Sequence, residues 1–182
     1  MSDTYAIKDP MATYFITFQV VNGVDLFTLK KYRDIVVKSF NSCIREKDLS
    51  VHAWVIMSSH VHCILGSKGG KLANLVKEFK RNTAVSLLEC ILLEPENRRE
   101  WMLQVFHNSA RRHERKHDYQ VWNREIHALM IDPLVPSMKK EKMNFIHENP
   151  VRAGFVYKPE NYLYSSARDY AGTKGLIEID MW

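Results

Sequence analysis

Trp54-Val55-Ile56-Met57-Ser58-Ser59-His60-Val61-His62-Cys63-Ile64-Leu65 decides the reading of this chain. Two apolar segments meet at Ser58-Ser59, and a His-Val-His triplet opens the second. A strand sends successive side chains to opposite faces, so His60 and His62 point one way and Val61 and Cys63 the other. Two imidazoles side by side on a sheet face make half of a metal site. For the triplet alone, two histidines on a half-solvated strand remain the alternative.

Working outward, Val51 to Met57 and Val61 to Gly66 read as two strands of a tight antiparallel hairpin. Upstream, Ala12 to Val21 is β-branched and aromatic, a first strand broken by Asn22-Gly23. Thr28 is the expected N-cap of a helix over Leu29 to Lys47, where Leu29, Tyr32, Ile35, Val36, Phe40, Cys43 and Ile44 fall at helical spacing. Downstream, a basic turn leads into a helix over Leu72 to Leu93, ended by Pro95, with Lys77, Lys80 and Arg81 on its polar side. Tyr119 to Trp122 is the expected fourth strand. Ser137 is the expected cap of a last helix running from Met138 to Asn149, which Pro150 ends. The aromatic tail, Val151 to Trp182, is expected to wrap onto the core, with Ser165 and Ser166 turning it onto the sheet. Trp54 is read as core.

The order strand, helix, strand, strand, helix, strand, helix predicts an α+β fold. Its centre is a ferredoxin-like (split βαβ) antiparallel sheet with helices on one face, followed by an extra C-terminal helix. That fold hosts many functions.

With 182 residues and 46% apolar content, the chain suits one domain, residues 1–182, with a packed core. No apolar run reaches the length of a membrane helix, and the first ten residues lack a signal pattern, so a cytoplasmic protein is expected. Cys43, Cys63 and Cys90 are scattered and read as small buried residues of a reducing compartment. The net charge of +5 modestly favours a polyanionic partner. Its distribution says more. Between Glu96 and His117 lie Arg98, Arg99, Arg111, Arg112, Arg115 and Lys116, interleaved with Trp101 and Phe106. Cations that track phosphates beside rings that stack on bases suit single-stranded nucleic acid. A solvated helix paired through Glu100 and Glu114 is the alternative, and the cations outnumber those acids.

These blocks together resemble a known family. Ala53 to His62 resembles the W-V-x-M-P-x-H-x-H block of the HUH single-tyrosine transposases. Ile146-His147-Glu148-Asn149-Pro150-Val151-Arg152-Ala153-Gly154-Phe155-Val156, with Tyr162-Leu163-Tyr164-Ser165-Ser166-Ala167, resembles a block of their REP-associated branch. Glu78 to Thr83 is similar to that branch's basic helix. The resemblance spans residues 10–172 in order.

The resemblance implies a transposase that cuts and rejoins single-stranded DNA beside imperfect, REP-like hairpins. It implies His60 and His62 as ligands of Mg²⁺ or Mn²⁺, with Asn149 as third ligand. A tyrosine at position 145, one helical turn before Asn149, would form a 5′-phosphotyrosine link and leave a free 3′-OH. Lys80, Arg81, Arg111, Arg112 and Arg152 become candidate DNA contacts. The family includes monomers and dimers that exchange the tyrosine helix, so a homodimer is one expected state.

One departure matters: position 145 is Phe145. Phenylalanine keeps the ring and loses the oxygen that would attack phosphorus. Three accounts compete: a deliberate Tyr→Phe change that traps uncleaved DNA, a natural loss leaving a non-cleaving REP-hairpin binder, or another tyrosine acting instead. The third is weakest, because Tyr157 and Tyr162 follow Pro150. A metallohydrolase using activated water would need Glu148, which faces about 100° away from Asn149 on a helix. His107, His113, His117 and His147 are read as solvated or DNA-facing.

Overall fold

β1 (Tyr14–Gln19) runs antiparallel to β3 (His60–Ser67) on one side and to β4 (His127–Met130) on the other, and β2 (Leu49–Ile56) pairs with β3. The resulting order, β2-β3-β1-β4, is that of a split βαβ sheet. The structure is a computed structural model and describes residues 6–112 and 118–182. His113, Glu114, Arg115, Lys116 and His117 of the basic run lie outside the described residues.

Strand alternation gives the sheet two unlike faces. Tyr14, Ile16, Phe18, Val61, Cys63, Leu65, Trp54 and Ile56 form the larger core. α1 (Lys30–Lys47) covers it with Tyr32, Val36 and Phe40, and α2 (Leu72–Leu93) with Leu72, Leu75, Val76 and Phe79. Each such side chain contributes about 1.5–3 kcal/mol on full burial, so this face fixes where the sheet sits. α3 (Arg99–Arg112) adds Met102 and Phe106 beside the turn after β1. The other face carries a smaller cluster of Phe15, Ala53, Val55, Met57, Ile64 and Ile131, closed by Ile146 of α4 (Pro136–Arg152).

Several sequence expectations shift. The fourth strand is His127–Met130, not Tyr119–Trp122. The earlier segment makes one bridge, Trp122 to Val20, closed by Val21 N–H on the Val121 carbonyl at 2.9 Å, and packing adds to its hold. Trp122 lies against Phe18 and Phe27, and its indole N–H donates to Thr83 Oγ1 at 2.9 Å. The first long helix starts at Lys30 without a side-chain cap, and the Thr28 hydroxyl donates instead to the Asp25 carbonyl. α4 starts at Pro136 rather than after a Ser137 cap, because a proline ring pre-sets the first helical φ.

Nor does Pro150 end α4. The helix runs through it to Arg152 and stops at Gly154, whose φ of +75° suits glycine. Phe155 N–H then closes back on the Pro150 carbonyl at 2.9 Å. A proline in the last turn removes only one helical hydrogen bond, which leaves the turn intact.

The tail covers the free edge of β2. Ile56 N–H donates to the Tyr164 carbonyl at 2.9 Å and Ser166 N–H to the Trp54 carbonyl at 3.0 Å. Tyr164 donates to Asp34, Tyr170 to the His52 carbonyl, and Asp180 N–H to the Val51 carbonyl. An edge strand with unmade backbone bonds invites pairing with another chain, and these contacts block it. α5 (Ala167–Tyr170) is a single turn within this tail.

Ser166 is the joint between tail, sheet and α4. Its Oγ accepts Trp54 N–H at 2.9 Å and lies 2.9 Å from His147 Nε2. His147 is therefore a seating residue of α4, neither solvated nor free to face DNA. Burial pushes its pKa down to about 4.

Two outcomes follow. Ser166→Ala leaves a buried Trp54 N–H and an imidazole nitrogen unpartnered, costing about 1–3 kcal/mol; urea unfolding should show a lower midpoint at unchanged slope. The unfolded chain protonates His147 below its ordinary value of about 6.5 while the folded chain resists protonation until about 4. Stability should thus fall with pH through that window, by about 1.4 kcal/mol per pH unit from this group. His147→Gln should flatten that part of the pH profile.

Candidate functional site

The side chains of Thr17, Gln19, His60 and His62 share the face opposite the main core. The register makes this concrete: His60 pairs with Gln19, His62 with Thr17, and Thr17 with His127 across the sheet. The His60 and His62 rings lie 4.6 Å apart between centroids.

His62 is held firmly. It is 9% exposed, its ring stacks on Phe15 at 5.5 Å, and its Nδ1 lies 2.8 Å from Thr17 Oγ1. Burial first, then the neighbouring His60 and His127, push its pKa down to about 3. His60 Nδ1 lies 3.2 Å from Ser59 Oγ, and burial lowers its pKa as well. Both imidazoles are therefore neutral near pH 7, the form that donates a lone pair to a metal. With both Nδ1 atoms engaged by hydroxyls, the Nε2 atoms are the ones left to coordinate.

α4 brings Phe145 onto this pair. Its ring meets His62 edge-on at 5.1 Å and Phe15 at 5.8 Å. Arg152 places its guanidinium 5.7 Å from the Phe145 ring centre. Phe145, Asn149 and Arg152 are spaced four and then three residues apart, which puts them on one helix face. Arg152 reaches this position because the helix continues past Pro150.

His60 and His62 together offer two neutral imidazole nitrogens that could serve a metal ion. Among the described residues, no three His, Cys, Asp or Glu side chains gather closely enough to hold a metal ion. Asn149, on the Phe145 face of α4, carries a neutral amide oxygen that could serve as a third ligand. Two imidazoles and an amide leave open coordination positions for phosphate oxygens and water.

The other candidate residues disperse. Lys80 donates to the carbonyls of Asn123 and Arg124 at 2.7 and 3.0 Å, so its ammonium is committed to the segment before β4. Arg81 is exposed on α2, 4.0 Å from Glu78. Arg111 and Arg112 stand exposed at the end of α3. Tyr162 packs against the same smaller cluster as Phe145, but its hydroxyl donates to the Ile56 carbonyl at 2.8 Å and burial raises its pKa. Tyr157 is fully exposed after the helix. Neither is presented to the histidines as Phe145 is.

Two site residues escaped the sequence reading: Thr17, which orients His62, and His127, across Thr17 from it. The run Ile126 to Ile131, bounded by Glu125 and Asp132-Pro133, was a strand signal that would have exposed His127. Thr17 had no such signal, because the register of β1 against β3 is not written in either strand.

No protein-family model matches the sequence, and no curated protein matches it. Solved structures do. One is a REP-associated tyrosine transposase bound to a REP hairpin, with a TM-score of 0.63 at 17% identity, covering 99% of this chain and 92% of that one. Another is a candidate transposase from Deinococcus radiodurans R1, with a TM-score of 0.44 at 13% identity, covering 81% of this chain and 97% of that one. The chain carries the fold of the REP-associated tyrosine transposase, with an imidazole pair and the Phe145 ring set against each other on the smaller face of its sheet.

Proposed function

We propose that this chain is a REP-associated tyrosine transposase that binds hairpin-forming single-stranded DNA, with a nucleophile position that holds phenylalanine. The observation that carries this reading is the edge-on contact of Phe145 with His62 at 5.1 Å. A helix residue packed edge-on against the buried, neutral imidazole of His62 stands where an attacking group would be needed. The likeness to a hairpin-bound transposase supports the same reading.

His60, His62 and Asn149 would hold Mg²⁺ or Mn²⁺. When bound, the ion offsets the negative charge that grows on the phosphate oxygens during transfer. The chain's own residues do the rest. Thr17 keeps the His62 Nδ1 occupied and the ring oriented. Arg152, on the face of Phe145, supplies a fixed cation for a phosphate brought to that ring. The apolar neighbours Phe15 and Ile64 exclude water from one side, which favours transfer between strands over hydrolysis.

A tyrosine at 145 would form a bond from its phenol oxygen to phosphorus while the bond from phosphorus to the 3′ oxygen breaks. The departing 3′ oxygen gains a proton. A phenol has an ordinary pKa of about 10 and must lose its own proton on the way. Phe145 can do none of this, so the chain as it stands holds DNA and does not cut it. A second reading, a REP-hairpin binder that has no cleavage role, shares that consequence.

The two readings separate on one variant. Phe145→Tyr, incubated with hairpin DNA and Mn²⁺, should give a denaturant-stable protein–DNA adduct that is absent from the parent and from the Phe145→Tyr/His62→Ala double variant. A Phe145→Tyr protein that binds hairpins and forms no adduct would leave the binding role alone. The metal site has its own readout: Thr17→Val removes the partner of His62 Nδ1 and should weaken Mn²⁺ binding about 10–100-fold, measured by calorimetry without DNA.

A further inference from the structure

The segment between β1 and α1 is tied to the turn that precedes His60. Val20 N–H donates to the Ser59 carbonyl at 2.9 Å and Phe27 N–H to the Ser58 carbonyl at 2.8 Å. Val21, Val24, Leu26 and Phe27 anchor the segment in the main core. Asp25 lies between two of these anchors, at the centre of an inverse γ-turn. Its φ is −73° and its ψ 61°, and Leu26 N–H donates to the Val24 carbonyl at 2.8 Å. The Asp25 carbonyl accepts Arg98 Nη1 at 2.9 Å and the Thr28 hydroxyl at 3.2 Å. The backbone is thus held on both sides, while the residue itself stays exposed. Arg98 pairs its charge with Glu96 at 3.1 Å. Burial lowers the His60 pKa, and the Asp25 charge opposes that effect.

We propose that Asp25 is a positioning residue of the metal site, acting through water on a divalent ion held at His60 and His62. The inference rests on the metal reading above and adds to it a negative charge that the direct ligands lack. His60, His62 and Asn149 are all neutral donors. Imidazoles suit zinc, copper, iron or nickel, whereas carboxylates and water suit Mg²⁺ and Mn²⁺. A carboxylate beside the pair tilts the site towards the second group of ions, which keep much of their water.

Its position suits an indirect role. Among the described residues, no three His, Cys, Asp or Glu side chains gather closely enough to hold an ion, so Asp25 does not complete a direct ligand set with the two histidines. A group one water layer back still orients the ligands and adds to affinity. The charge also stands at the useful end of the site. Asp25 acts on His60, whereas on His62 the acting neighbours are the imidazoles of His60 and His127. Phe145 meets His62, and Arg152 stands over the Phe145 ring. The site therefore has an acid at its His60 end and a cation at its Phe145 end. An acid beside Arg152 would repel an incoming phosphate, and one beside His60 avoids that. Backbone bonds set where Asp25 sits, so its charge is in place before an ion arrives, which lowers the ordering cost of binding.

Calorimetry with Mn²⁺ on the full chain, without DNA, tests this. Asp25→Asn keeps the carbonyl that Arg98 and Thr28 bond, so the urea midpoint should not move. Its Mn²⁺ affinity should fall about tenfold, the lower end for loss of an outer partner. Asp25→Ser removes the same charge with a different side chain and should match it. Glu89→Gln, an equal loss of charge on the exposed side of α2 across the sheet, should leave the affinity where it is. A second readout separates charge from shape. Salt screens an exposed carboxylate, so added sodium chloride should weaken Mn²⁺ binding more in the parent than in Asp25→Asn, and the two affinities should converge. A loop merely distorted by the substitution would bind more weakly by the same factor at every salt concentration, and that result would overturn the proposal. So would parent-like affinity in either folded Asp25 variant, or an equal loss in Glu89→Gln. His62→Ala should abolish binding. A parent that binds Mn²⁺ no better than His62→Ala would overturn the metal reading itself.

Discussion

The antiparallel register of β1 against β3 is the constraint on which the site depends. It sets Thr17 opposite His62 and Gln19 opposite His60. A slip of one residue would turn every side chain of β1 over, placing Phe18 beside the imidazoles and Thr17 in the main core. The main core prevents that slip. Tyr14, Ile16 and Phe18 are buried against α1 and α2, and burying Thr17 and Gln19 in their place would cost several unsatisfied polar groups. The bulky face of the sheet thereby fixes the geometry of the chemical face.

The second face stays small so that α4 can approach it. Ile146 and Pro150 are the buried residues of that helix, and His147 bonds the Ser166 hydroxyl on the side of β2. These neighbouring residues hold the helix against the sheet, and Phe145 is thereby placed on His62. The tail that carries Ser166 serves two ends at once: it covers the β2 edge and anchors α4. Continuation of the helix to Gly154 adds a third consequence, since it carries Arg152 round to the face of Phe145.

The burial that neutralises His62 also costs something. Its neutral form is favoured because the ring is enclosed and stands near two other imidazoles. That is the state a divalent cation requires, and it is bought with proton-linked instability in acid. The Thr17 hydroxyl limits the cost by giving one ring nitrogen a partner where water is largely excluded.

Much of this was legible in the sequence. Strand alternation put His60 and His62 on one face, helical spacing put Asn149 one turn after position 145, and the order of elements predicted the split βαβ sheet. These are periodicities of the backbone, and they hold wherever the segment lies. The sequence by itself determined which chemical groups the site could contain, including the absence of a hydroxyl at Phe145. Only the tertiary structure decided which of those groups meet. Thr17 and His127 join the site through strand register, Arg152 through a helix that tolerates Pro150, and Lys80 leaves the list of free cations because two carbonyls of a distant loop claim it. The physical reason is the same in each case: register, helix ends and long-range hydrogen bonds are set by what packs against a segment, and that partner lies elsewhere in the chain.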